Sequence, residues 1–152
     1  MSKLIMMCGV PGSGKSTWVK NNKSEADVLV SRDAIRFAIL KDDEDYFAHE
    51  TEVFNRFIWQ IADSLAEGKT VIADATHLNK KSRALVLDKV SKLADENEAI
   101  VMDVHLETAI ERNDQRTGRA FVPRGVIRRM FFQMEAPTRE EGFNKITFIR
   151  ED

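Results

Sequence analysis

The chain has 152 residues, 43% hydrophobic and 32% charged, which suits one globular domain and excludes disordered, fibrous and collagen-like classes. Its 23 basic and 25 acidic residues give a net charge of −2, so any nucleic-acid surface has to be a local basic patch. One cysteine, Cys8, excludes an internal disulfide, and without a signal-length or membrane-length apolar run the expected compartment is the cytoplasm, with no membrane partner.

Residues 3–8 read as a first apolar strand. It runs into Gly9-Val10-Pro11-Gly12-Ser13-Gly14-Lys15-Ser16-Thr17, the phosphate-loop pattern G-x-x-x-x-G-K-[ST], with a helix expected over about 15–22. Glycines let backbone N–H groups converge on phosphate oxygens, and the following helix N-terminus adds positive dipole. Gly9, Gly12, Ser13, Gly14, Lys15, Ser16 and Thr17 are therefore the nucleotide-binding candidates. Lys15 reaches toward the β- and γ-phosphates of ATP, and the Ser16 hydroxyl is a ligand for Mg2+.

Residues 28–30 form a short apolar run, and Ser31-Arg32-Asp33 opens a helix to about Leu40. The acidic run 42–45 precedes a helical pattern over 46–67 that carries Phe47, Val53, Phe54, Phe57, Ile58, Ile61 and Leu65, with Gly68 as its stop. Residues 70–73 read as a third strand ending at Asp74. Asn79 caps a helix to about Glu96 with Leu85, Val90 and Leu93 facing inward. A fourth strand is expected over 99–106, a short helix over 107–116, a helix from Pro123 to about Met134, and a fifth strand over 145–150.

Strands alternating with helices predict one α/β domain over 1–152: a three-layer P-loop NTPase fold, with a parallel sheet of about five strands covered by helices on both faces. Ligands of such sheets lie beyond the carboxyl ends of the strands, which brings Gly9, Ser31 to Asp33, and Asp74 to His77 to one edge. There Asp33 is the candidate base for an alcohol acceptor, and Arg36, one turn on, is placed to hold an acceptor phosphate. A plain helix cap with a solvated arginine is the structural alternative. Asp74 is either a second carboxylate toward Mg2+ or an ordinary turn residue. Between Arg112 and Arg129 stand six arginines against Asp114 alone, and the polar stretch 115–119 has the character of a lid.

In these motifs the chain resembles the kinase domain of the bacteriophage-type 5′-hydroxyl polynucleotide kinases over nearly its whole length. The likeness lies in 9–18, in Ser31-Arg32-Asp33-Ala34-Ile35-Arg36, in Thr76-His77-Leu78-Asn79 with Arg83, and in Arg112-Asn113-Asp114-Gln115-Arg116 with Val122-Pro123. The resemblance implies transfer of the ATP γ-phosphate to the 5′-hydroxyl of DNA or RNA. It makes Lys15, Asp33 and Arg116 catalytic, sets Arg112 with the nucleotide, and gives Arg36, Asp74, Thr76 and Arg119 to the acceptor. Two departures are visible: Ala75 stands where the family aspartate precedes the threonine, and the lid is one residue longer, so Arg119 can exchange roles with Arg116. No D-x-D-x-T/V motif is present, so removal of a 3′-phosphate is not expected of this chain. The competing readings are a kinase of another hydroxyl, on a nucleoside, nucleotide or hydroxymethylated base, and an ATP-binding switch protein without transfer. Homo-oligomerisation is left open by the apolar Phe131 and Phe132.

Overall fold

The structure, a computed structural model, describes residues 1–150. The central strand is β1 (Lys3–Cys8), whose side chains alternate between two cores. Leu4, Met6 and Cys8 enter one cluster, and Ile5 and Met7 enter the other. β1 is flanked by β3 (Thr70–Asp74) and β4 (Glu96–Asp103); β2 (Val28–Ser31) and β5 (Lys145–Arg150) form the edges. The order is β2-β3-β1-β4-β5, and every pairing is parallel.

Helix α1 (Lys15–Asn22) covers the Ile5 and Met7 face through Trp18 and Val19. The opposite face is covered by α2 (Arg32–Ile39), α3 (Glu50–Ala66) and α4 (Lys80–Val90). From α3, Val53, Phe57, Ile61 and Leu65 point inward at helical spacing, each burial contributing about 1.5–3 kcal/mol. Two further helices, α5 (Leu106–Asp114) and α6 (Arg124–Gln133), pack together with Val10 of the phosphate loop around Ile127. This is the three-layer α/β sandwich of a P-loop protein, as the alternation of elements predicts.

Several boundaries differ from the sequence expectation. α3 begins at Glu50 rather than Tyr46, because Tyr46 is drawn under the Arg36 guanidinium, 4.3 Å from its ring centroid, and Glu44 takes the His49 ring at 2.5 Å. Phe47 consequently stands 65% exposed. α4 ends at Val90, and β4 starts at Glu96 rather than Ala99, since pairing with β1 reaches back to Glu96 and Ser2 fixes Asp95. The inward face of α4 is Arg83, Val86, Leu87 and Val90, while Leu85 and Leu93 are exposed. β4 ends at Asp103 rather than Leu106, which instead starts α5, and Pro123 caps α6 rather than entering it. Of the two phenylalanines, Phe131 packs beside Ile127 and Phe132 is exposed.

Candidate active site

The phosphate loop is fastened on two sides. Its Gly9 N–H donates to the Thr76 carbonyl at 3.0 Å, tying the end of β1 to the segment after β3. Gly12 has a φ of 83°, and a Cβ there would lie 2.3 Å from the Ala109 carbonyl oxygen, so the loop meets the α5 backbone with no room for a side chain. Ser13 Oγ is buried without a hydrogen-bond partner, a polar atom left inside the cradle as a phosphate-binding loop requires. Gly14 caps α1, so the N-terminus of the helix, with the exposed Ser16 and Thr17 in its first turn, follows directly on the loop.

Lys15 Nζ donates to the carbonyls of Gly9 at 2.7 Å and Val10 at 3.1 Å. Burial pushes its pKa down to about 8, and Arg116 adds to the shift, while Asp74 and Asp33 oppose it. Asp74, half-buried at the end of β3, is held above the ordinary carboxylate range by burial and by Asp33, against the pull of Lys15 and Arg116. Lys15, Asp33, Asp74 and Arg116 thus share one electrostatic field. The Ser16 hydroxyl and the Asp74 carboxylate are oxygen donors of the kind that magnesium takes together with phosphates and water. Among the described residues there is no group of three or more His, Cys, Asp or Glu able to cage an ion.

On the acceptor side, Ser31 Oγ caps α2 by accepting from the Ala34 N–H at 3.2 Å, which leaves Asp33 for other work. Asp33 Oδ1 accepts from the Tyr46 hydroxyl at 2.8 Å and from the Arg36 guanidinium, and its side chain remains 61% exposed. Arg36 is turned inward and only 5% exposed. It donates through Nε and NH2 to the two oxygens of Glu50 at 2.8 and 3.0 Å, and to the Tyr46 oxygen at 2.8 Å. Expected to face an acceptor phosphate, Arg36 instead sits behind Asp33. Burial and the Asp33 charge hold the Tyr46 hydroxyl far above its usual range, so it stays a donor.

The lid runs from the end of α5 to the start of α6. Asn113, fully buried, clamps its base: Nδ2 donates to the Val122 carbonyl at 2.5 Å and Oδ1 accepts the Val122 N–H at 2.9 Å. Arg112 is exposed in the last turn of α5, and the exposed Arg116 that follows adds its charge to the field at Lys15 and Asp74. Arg119 goes elsewhere, donating to the carbonyls of Lys41 at 2.7 Å, Asp42 at 2.9 Å and Glu44 at 3.4 Å. The lid is thereby latched across to the turns that precede α3.

Beneath Thr76, His77 adopts a left-handed φ of 42° and donates from Nδ1 to the Met7 carbonyl at 2.6 Å; burial pushes its pKa down to about 4. Arg83, with no exposed surface, donates to the His77 carbonyl at 3.0 Å, the Glu135 carbonyl at 2.9 Å and Glu141 at 2.7 Å. Tyr46, Glu50, Asn113 and Glu141 are structural partners that the sequence motifs do not single out. Glu50 falls inside the helical pattern expected over 46–67, and the others have no local spacing that announces their partners.

A family model for the AAA domain matches residues 4–137. The chain belongs to the AAA-domain family. As an AAA domain of P-loop type, it is a nucleotide-binding unit. It is 28% identical over 154 residues to transcription factor bHLH140 of Arabidopsis thaliana, covering 98% of this chain and 16% of that protein. It is 29% identical over 133 residues to a protein of Autographa californica nuclear polyhedrosis virus assigned as a bifunctional polynucleotide kinase/RNA ligase, covering 76% of this chain and 18% of the other. Among solved structures, a chain of the Pnkp1/Rnl/Hen1 RNA repair complex superposes with a TM-score of 0.76 at 26% identity, over 87% of this AAA domain and 43% of that chain. The AAA domain therefore spans less than a fifth of these curated relatives and under half of that solved chain. The resemblance to polynucleotide kinases is met by both kinds of comparison. No helix among the described residues is long and apolar enough to cross a membrane.

Proposed function

We propose that this AAA domain transfers the γ-phosphoryl group of ATP to the 5′-hydroxyl end of DNA or RNA. The observation that carries the reading is Asp33: an exposed carboxylate, held from behind by Arg36 and Tyr46, within electrostatic reach of both Lys15 and Asp74 on the phosphate side. Both of its hydrogen bonds fall on Oδ1. Oδ2 is thereby left to orient an acceptor hydroxyl and take its proton as the oxygen attacks the γ-phosphorus. The bond from that phosphorus to the β–γ bridging oxygen breaks, and the electron pair leaves with ADP.

Lys15 exchanges the Gly9 and Val10 carbonyls for phosphate oxygens, and the backbone N–H groups of the loop complete the cradle. Arg116 lies over the transferring group, where charge spreads in the transition state. Ser16 and Asp74 would hold Mg2+, which when bound neutralises phosphate charge. Arg36 acts as a positioning residue for Asp33, and Arg119 as the latch of the lid.

Labelled ATP incubated with a 5′-hydroxyl oligonucleotide is expected to yield a labelled oligonucleotide, and Asp33→Ala to abolish it while ATP binding persists. Absence of transfer to every DNA and RNA strand tried would remove the proposal. Transfer to free nucleosides alone would assign the domain to another hydroxyl.

A further inference from the structure

A cavity of about 710 Å³ opens beside the Asp33 cluster, along the outward face of the first half of α3 and the turn before it. Its walls include Phe47, Glu50, Asn55, Arg56 and Trp59. Two of these are large aromatics left in water: Phe47 is 65% exposed and Trp59 is 67% exposed. Neither contributes to the cores under the sheet. Both rings line the same cavity and offer it flat apolar faces for stacking.

The cavity adjoins the acceptor side of the site through Phe47 and Glu50. Phe47 stands edge-on to Tyr46 with ring centroids 4.7 Å apart, and the Tyr46 hydroxyl is the donor to Asp33. Glu50 is shared, forming a wall of the cavity while its carboxylate binds Arg36. From Glu50 to Trp59 the helix advances roughly 13 Å. That length matches roughly three to four stacked nucleotides of a strand.

The charged side chains that line the cavity are paired with one another or with neighbours. Glu50 is neutralised by Arg36 and Arg32, and Glu52 by Arg56 at 2.8 Å. Aromatic faces stack any base, and the Asn55 amide can meet a base edge.

We propose that this cavity holds the unpaired nucleobases that follow the reacting 5′ end, stacked on Phe47 and Trp59. The inference rests on the polynucleotide kinase reading above and deepens it, since it makes the acceptor a single strand of several nucleotides rather than a terminal nucleotide alone.

Two measurements test it on the whole chain. Titrating a 5′-hydroxyl hexanucleotide without ATP should quench the fluorescence of Trp59, identified as the part of the signal that Trp59→Phe removes, the remainder being Trp18. In steady-state kinetics, Phe47→Ala and Trp59→Ala should each lower the preference, in kcat/KM, for the hexanucleotide over a nucleoside 3′-phosphate by roughly tenfold. Because both side chains are exposed, thermal melts of the variants should match the parent. An unquenched Trp59, or an unchanged preference in both variants, overturns the proposal. If the parent phosphorylates no oligonucleotide, the kinase reading fails, and the quench still decides whether bases occupy the cavity. Quenching by a polypeptide and by no oligonucleotide would assign the cavity to a protein partner and overturn the proposal.

Discussion

The Tyr46 hydroxyl donates to Asp33 Oδ1 at 2.8 Å, so a residue of the turns before α3 orients the carboxylate at the head of α2. Tyr46→Phe keeps the ring contacts with Arg36 and Phe47 and removes this bond together with the one that the Tyr46 oxygen accepts from Arg36. The expected result is an unchanged melting temperature with kcat for oligonucleotide phosphorylation lowered about tenfold. Asp33→Asn, which removes the proton acceptor itself, should lower kcat by about 100-fold or more.

Arg116 and Arg119 are separated by their partners: one shares the field of Lys15 and Asp74, and the other holds the carbonyls of residues 41, 42 and 44. Arg116→Ala should lower kcat by about 100-fold or more, as loss of a transition-state donor does. Arg119→Ala should act mainly on mobility, raising amide hydrogen exchange in 117–121 and 41–45 together. Equal kinetic losses in the two variants would show that the latch carries chemistry.

Arg83 and Glu141 form a buried pair, with Arg83 also bonded to the carbonyls of His77 and Glu135. Arg83→Met leaves Glu141 and both carbonyls without that partner and should cost about 3–5 kcal/mol in chemical denaturation. Adding Glu141→Leu should restore part of the loss, because the orphaned charge is then gone.

His77 gives acid sensitivity of a definite sign. Its pKa falls from 6.5 to about 4 because burial disfavours the charged ring. The unfolded chain therefore binds more protons between those values. This contribution to stability is full above pH 6.5, declines as pH falls through that window, and amounts to about 3 kcal/mol once lost below pH 4. His77→Asn tolerates the left-handed backbone and can still donate to Met7, so its urea midpoint should vary less with pH over that range.

The sequence made the nucleotide half of the site legible because its chemistry is local. Six loop residues and a following helix suffice to bring backbone donors together, and the pattern from Gly9 to Ser16 specifies them in order. The strands were equally readable, since β1 and β3 are short apolar runs bounded by turn residues. Helix ends were less so. The pattern from Tyr46 reads as helix until Arg36 claims Tyr46, and the pattern to Glu96 reads as helix until pairing with β1 claims the segment. Both are tertiary contacts that outweigh local propensity.

By itself, then, the sequence determined a parallel α/β sandwich and a phosphate loop, and it named Asp33, Arg36, Asp74 and the lid arginines as candidates for the site. Only the tertiary structure decided what each of them touches. Arg36 faces Glu50, Arg119 reaches the turns before α3 and Arg116 shares the field of Lys15 and Asp74, while Phe47 and Trp59 line one cavity. The reason is physical: backbone cradles and apolar periodicity are set by neighbours in the chain. The partner of a long charged side chain is set by segments that meet only when the sheet has closed.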